Sequence, residues 1–171
     1  MSSLYDLTVP QLTKLLGNLV NWLDEATEYA ATRKFNPDVL ATAFLSPDQF
    51  NLTRQVQSAC DNAKFMTSRV TGRTPPKHPD EEKTIAELKA RVQSVIEYLN
   101  SFTEADFADA DSRVVPLFFL PGKGMKARDY VMQFALPNFF FHLVSAYSIL
   151  RHNGVQLGKY KFIGGLDLVD L

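Results

Sequence analysis

Pro137-Asn-Phe-Phe-Phe-His-Leu-Val-Ser-Ala-Tyr-Ser-Ile-Leu-Arg-His-Asn-Gly154 is the most apolar helix-like run of the chain and carries two of its three histidines. Pro137 suits a first helical turn, where its missing N–H is no loss, and Gly154 suits the left-handed position just past a helix end. The run is bounded at both ends and reads as the central helix of a bundle. At ~100° per residue, Asn138, His142, Ser145 and Ile149 share one face with Phe141 beside them. Phe140, Val144, Tyr147 and Arg151 lie opposite. A helix that is apolar all round is buried all round, so one side should meet the bundle and the other a further helix or a second copy. Phe139, Phe140 and Phe141 in succession cannot all face one core, and this surplus predicts a homodimer through the aromatic last helix.

His142 falls mid-helix among aromatics, on the face that also offers Asn138 and Ser145. It reads either as a buried imidazole satisfying its two nitrogens or as a ligand-binding or catalytic group, with general-base work as the chemistry open to it. As a metal ligand it is a weak candidate, because a metal site needs at least three good donors and this helix supplies one imidazole at useful spacing. His152 lies roughly 15 Å further along a regular helix axis and cannot share an ion with it. A histidine at a helix C-terminus has a simpler role in charge and hydrogen bonding there.

A chain of 171 residues, 46% of them hydrophobic, buries one good core and is short for two domains. We expect a single domain over 1–171. Eighteen basic against nineteen acidic residues, with no long run of either sign, leave no footprint for nucleic acid. The apolar runs fall short of the roughly 20 residues a membrane helix needs, and Met-Ser-Ser-Leu-Tyr-Asp6 lacks a basic region followed by an apolar core. A soluble, cytoplasmic protein is expected. Cys60 is the only cysteine, which excludes an intrachain disulfide and a thiolate-rich zinc site and agrees with a reducing compartment. Its place among small apolar residues reads as packing.

Outward from the central run, Thr8-Val-Pro-Gln11 reads as a helix start. Leu12, Leu15, Leu16, Leu19, Trp22, Leu23, Ala26 and Ala30 then step at threes and fours to about Thr32. A short turn follows over Val39 to Thr42. Ser46-Pro-Asp-Gln49 signals a second helix with the stripe Val56, Ala59, Cys60, Ala63, Met66, Thr67 and Val70, ending near Gly72. Its polar row of Arg54, Gln57, Asp61 and Lys64 reads as a solvated face, or, near Gln57 and Asp61, as the edge of a pocket. Arg73 to Asp80 is a proline-rich loop with His78 exposed. Thr84-Ile-Ala-Glu87 is a capping box opening a third helix, with Ile85, Leu88, Val92, Val95, Ile96, Leu99 and Phe102 on one face. Val114 to Leu120, the turn Pro121-Gly-Lys-Gly124 and the residues from Met125 read as a small hairpin. The fourth helix opens at about Arg128, and Pro137 either kinks it or begins it anew. The last seventeen residues form an apolar tail without helical period that should pack on the body or on a partner. The chain thus reads as an all-α four-helix bundle with a long crossover connection and a small β-hairpin before the last helix.

Three stretches, Arg54-Gln-Val-Gln-Ser-Ala-Cys-Asp-Asn-Ala-Lys64, Leu136-Pro-Asn-Phe-Phe-Phe-His142 and Ala146-Tyr-Ser-Ile-Leu-Arg-His-Asn-Gly-Val-Gln-Leu-Gly-Lys159, resemble a bacterial family of unknown function in the DinB/YfiT-like superfamily. The resemblance covers nearly the whole chain and implies a four-helix bundle with a crossover. Metal-binding members of that superfamily use one histidine of the second helix and a His-x-x-x-His pair on the last, and some are transferases or isomerases that depend on low-molecular-weight thiols. Matching Gly154 to the glycine that follows their last helix puts His142 on the second histidine of the pair and Asn138 on the first. The second helix here has no histidine, and Gln57, Ser58, Cys60 and Asp61 are the nearest substitutes. One imidazole is too few neutral nitrogen donors for a tight zinc or nickel site. Three functions follow as expectations. They are a small-molecule pocket with a degenerate metal site around Gln57, Asp61, Asn138, His142 and Ser145; a metal-dependent and thiol-dependent transferase or isomerase; and a structural homodimer.

Overall fold

The computed structural model describes residues 3–170. Helix α1, Leu4–Arg33, starts a turn before the Thr8 signal, because Ser3 and Asp6 form the capping box and bond each other's backbone N–H at 3.1 Å. Pro10 therefore lies inside the helix, where Thr8 Oγ1 donates to the Leu4 carbonyl at 2.6 Å. Every residue of the expected leucine stripe from Leu12 to Ala30 is buried. A 3-10 turn, Pro37–Thr42, follows under the Asn36 cap.

Helix α2, Leu52–Thr71, begins later than Ser46-Pro47 suggested. Asn51 caps it through the Arg54 N–H at 3.0 Å, whereas Ser46 spends its hydroxyl locally on Asp48. It ends at Gly72, whose φ of +80° is the left-handed stop expected there. Helix α3, Ile85–Asn100, opens with the Thr84/Glu87 capping box. Two short strands, β1 (Val114–Pro116) and β2 (Gly124–Lys126), pair antiparallel with Val115 opposite Met125. They lead into α4, Ala127–Tyr130.

Between α4 and the long helix α5, Leu136–His152, lies a π turn, Val131–Ala135. The Leu136 N–H reaches back five residues to the Val131 carbonyl. Pro137 explains it. Proline in a regular helix has no N–H for the carbonyl four residues back and its ring collides with it, and a widened turn relieves both. Pro137 is thus an interior irregularity of one helical stretch. The core-facing line of α5 is Phe139, Leu143, Ala146 and Leu150, all fully buried, with Ile149 beside them. It runs between the two faces drawn from the sequence. Phe141 and Val144 remain exposed, so α5 is not covered on every side.

The helices pack in the cyclic order α1, α3, α2, α5, with α2 on α5 and α1 on α3 the largest interfaces. Consecutive α1 and α2 are diagonal, and so are α3 and α5. Residues 34–51 and 101–126 therefore both cross an end of the bundle, whereas residues 72–84 join neighbours. The tail packs on the body only as far as a short helix, α6, Lys159–Ile163, whereas Leu166, Leu168 and Val169 beyond it are exposed. Trp22 Nε1 donates to the Lys161 carbonyl at 3.0 Å, Asn18 Nδ2 donates to the Phe162 carbonyl at 2.8 Å, and Phe162 stacks on Trp22.

Candidate functional site

The α2–α5 interface brings His142 to Gln55, a fully buried residue next to Arg54 in sequence but on another side of α2 from the polar row. Gln55 Nε2 donates to the Phe50 carbonyl at 3.3 Å, so its amide oxygen faces His142 Nδ1 at 2.8 Å. A carbonyl oxygen can only accept. The network therefore assigns the proton to Nδ1 and leaves Nε2 with its lone pair. Nε2 has no hydrogen-bond partner among the described residues. The Phe50 ring lies nearly parallel to the imidazole at 6.3 Å, and Phe141 meets it edge-on at 5.2 Å. Half burial pushes the His142 pKa below the ordinary imidazole value, and the Arg54 guanidinium pushes the same way. The ring is held neutral, in one tautomer, by its surroundings.

The other residues expected around His142 separate into two groups. Asn138 lies one turn before it on α5 and donates to Asn62 Oδ1 of α2 at 2.7 Å, while Asn62 Nδ2 is tied to the Ser58 carbonyl. Ser145 is buried, and its hydroxyl donates to the Phe141 carbonyl of its own helix at 2.7 Å. Gln57 and Asp61 face the other flank of α2. Gln57 Nε2 donates to Glu82 at 2.8 Å, and Asp61 accepts from Arg91 of α3 at 2.8 Å and pairs with Lys64 at 2.9 Å. The second-helix partner of His142 is Gln55. Two glutamines two residues apart on one amphipathic helix differ only in phase, and the sequence offered no landmark to set it.

The polar row of α2 is not a solvated face. Gln57 and Lys64 are buried and share the carboxylates Glu82 and Asp61 with Arg91, itself buried, which binds Asp80 at 3.1 Å and Glu82 at 3.0 Å. His78 is half-buried rather than exposed, and bridges Lys64 and Ser94. Only Arg54 joins this network to the His142 side: it pairs with Asp80, donates to Gln57 and lies over the Phe50 ring. His152 is exposed in the last turn of α5. Cys60 is fully buried and burial pushes its thiol up to about 12, so it is packing and not a nucleophile.

The chemistry of this donor set does not fit a tight zinc or nickel site. Around His142 stand two amides, Gln55 and Asn138, both committed to hydrogen bonds, together with aromatic rings and a guanidinium. Among the described residues no group of three or more His, Cys, Asp or Glu is placed to hold an ion. Five surface clefts range from 280 to 630 Å³, and none of these five is lined by His142. No helix of the described residues is long and apolar enough to cross a membrane.

Four principal helices in this cyclic order, with two end-crossing connections and one imidazole of the last long helix set against the second, define a bundle of the DinB class. A crystal structure of a protein from Shewanella denitrificans, described as a DinB family member, matches the chain with a TM-score of 0.94 and 45% identity, covering 98% of this chain and 96% of that one. The chain belongs to the family DUF1993, a domain of unknown function, which matches residues 4–163. None of the curated proteins matches it.

Proposed function

We propose that the protein is a metal-independent, cytoplasmic small-molecule-binding bundle whose recognition group is the Nε2 lone pair of His142. The supporting observation is the Phe50–Gln55–His142 chain of hydrogen bonds, which orients a neutral imidazole from a buried amide. This is how proteins preset a histidine as an acceptor or base, usually with a carbonyl or carboxylate behind it. A ligand suited to it brings a hydroxyl, thiol or amide N–H to Nε2 and an apolar body to Phe50 and Phe141. Without an acid behind Nδ1, base strength is modest, which favours binding over proton abstraction.

The test is elemental analysis of protein purified without chelator and without a nickel column, followed by a thermal-shift screen of small molecules on wild type, His142→Ala and His142→Gln. Stabilisation of wild type alone by a ligand supports the proposal. About one equivalent of a transition metal, lost in both variants, overturns it in favour of the metal-dependent and thiol-dependent transferase or isomerase.

A second reading, a homodimer through α5, is favoured by the exposure of Phe141 (56%) and Phe50 (50%) beside the imidazole and of Val144 (44%) further round the helix. Sedimentation at micromolar concentration should then give a dimer that Phe141→Ser with Val144→Ser dissociates. A wild-type monomer removes this reading.

A further inference from the structure

On the far flank of α2, the segment of residues 72–84 lies along the groove between α2 and α3, over a cleft of 370 Å³ lined by Asp61, Lys64, Phe65, Pro75, Lys77 and His78, among others. Cations and carboxylates here satisfy one another. Arg91 is shared by Asp61, Asp80 and Glu82; Lys64 is held by Asp61; Arg54 is held by Asp80. The cleft therefore asks for no ligand, but one joint in it works in a single protonation state.

We propose that the segment 72–84 is a proton-sensitive strap latched by His78. Lys64 Nζ lies 3.2 Å from His78 Nδ1, and Ser94 Oγ of α3 lies 3.0 Å from Nε2. An ammonium can only donate, so Nδ1 must carry the lone pair and Nε2 the proton, which it gives to Ser94. Among the His78 protonation states, only the neutral Nε2–H tautomer ties the middle of the strap to both helices, while Asp80 and Glu82 hold its far end to Arg91 and Arg54. Protonation at Nδ1 exchanges an acceptor for a donor and sets a second cation against the ammonium of Lys64, which is 2% exposed.

The groups facing His78 are Asp61 and Lys64 from α2, Arg91 and Ser94 from α3, and Lys77, Asp80 and Glu82 from the strap itself. All three carboxylates are already paired with Arg91, Lys64 or Arg54, and the attraction that Asp61 and Glu82 offer a new imidazolium is smaller than the opposing effects. Burial pushes the His78 pKa below the ordinary imidazole value, and the charges of Lys64 and Arg91 push it further down. Acidification thus opposes the latched state. Release loosens the stretch 74–78 between Gly72 and the Asp80 and Glu82 anchors and brings Lys64 and Phe65 to solvent.

The experiment is hydrogen exchange of the full chain between about pH 7.5 and about pH 5, corrected for intrinsic exchange, in wild type and His78→Gln. Glutamine keeps an acceptor for Lys64 and a donor for Ser94 but does not titrate. Opening of the strap amides should rise by up to about tenfold per pH unit in wild type, with no such rise in His78→Gln. Identical pH dependence in the two proteins overturns the proposal. Should His78→Gln fail to fold, Lys64→Met provides the check, read by NMR titration of His78. Removing the ammonium should raise the His78 midpoint and move strap opening to higher pH, and an unchanged midpoint overturns the latch.

Discussion

Gln55 and His142 meet across the α2–α5 interface at 2.8 Å, amide oxygen to Nδ1, with the amide nitrogen of Gln55 turned to the Phe50 carbonyl. The arrangement fixes which imidazole nitrogen is free. Gln55→Leu keeps the volume but leaves the Nδ1–H without its acceptor, at a cost of ~1–3 kcal/mol. Nitrogen NMR should show His142 passing from one tautomer to a mixture. An unmixed Nδ1–H tautomer in the variant would show that Gln55 does not set it.

His142→Ala should destabilise the fold by ~1–3 kcal/mol, through lost ring packing against Phe50 and an unpartnered buried amide at Gln55. An unchanged melting temperature would mean that the imidazole is solvated and contributes no packing.

The histidines also set a direction for stability against pH. His142 and His78 both have folded pKa values below 6.5, mainly through burial. The unfolded chain therefore binds these protons first. Their contribution is fully present above the unfolded value and is lost as pH falls below it toward the lower folded values. Urea midpoints should decline from neutral pH toward about pH 5, with a smaller decline in the double variant His78→Gln, His142→Gln. Midpoints that rise on acidification would contradict both assignments.

Arg91 is 3% exposed and shared by three carboxylates, with its Nε atom buried and without a hydrogen bond. Arg91→Ala should cost ~1–3 kcal/mol, because three partly exposed carboxylates lose their shared cation and the buried arginine stem leaves a gap. Arg91→Met combined with Asp61→Asn and Glu82→Gln should recover part of that loss in chemical denaturation. If it recovers none, the penalty belongs to packing of the arginine stem.

Trp22 is the only tryptophan and reports on the tail, since α6 stacks on it through Phe162 at 5.4 Å. Phe162→Ala should red-shift the emission and cost ~1–3 kcal/mol, less than a fully buried phenylalanine because Phe162 is partly exposed. Unchanged emission would show that the Trp22 pocket closes without α6.

What could be read from the residues follows how local each signal is. Gly72, Gly154 and the Thr84/Glu87 box stop or start helices through their own backbone and a neighbour within a turn, and all three act as expected. Asn51 and Ser3 do the same work, yet Ser46-Pro47 and Thr8-Val-Pro10 carry equally good start signals, and only tertiary packing selects between them. In α5 nearly every position is apolar, so periodicity has no contrast and the line Phe139–Leu143–Ala146–Leu150 could not be phased. Gln55 was missed for the same reason in a polar setting. Arg91 was passed over because it sits one residue before Val92 on a stripe of apolar residues, and its partners come from α2 and from a proline-rich loop without regular structure to place them.

The cyclic order of the helices also governs how the chain can come together during synthesis. The leucine stripe of α1 leaves the ribosome first, but its chief partner α3 lies some fifty residues downstream, and α2 must wait for α5 near the end of the chain. Neither large interface can close between consecutive helices, so the nascent chain holds unpaired apolar surface for much of its translation. Contacts this distant slow folding relative to an up-and-down bundle of equal size, and this exposes the half-made chain to aggregation and places the commitment to the native state at the emergence of α5.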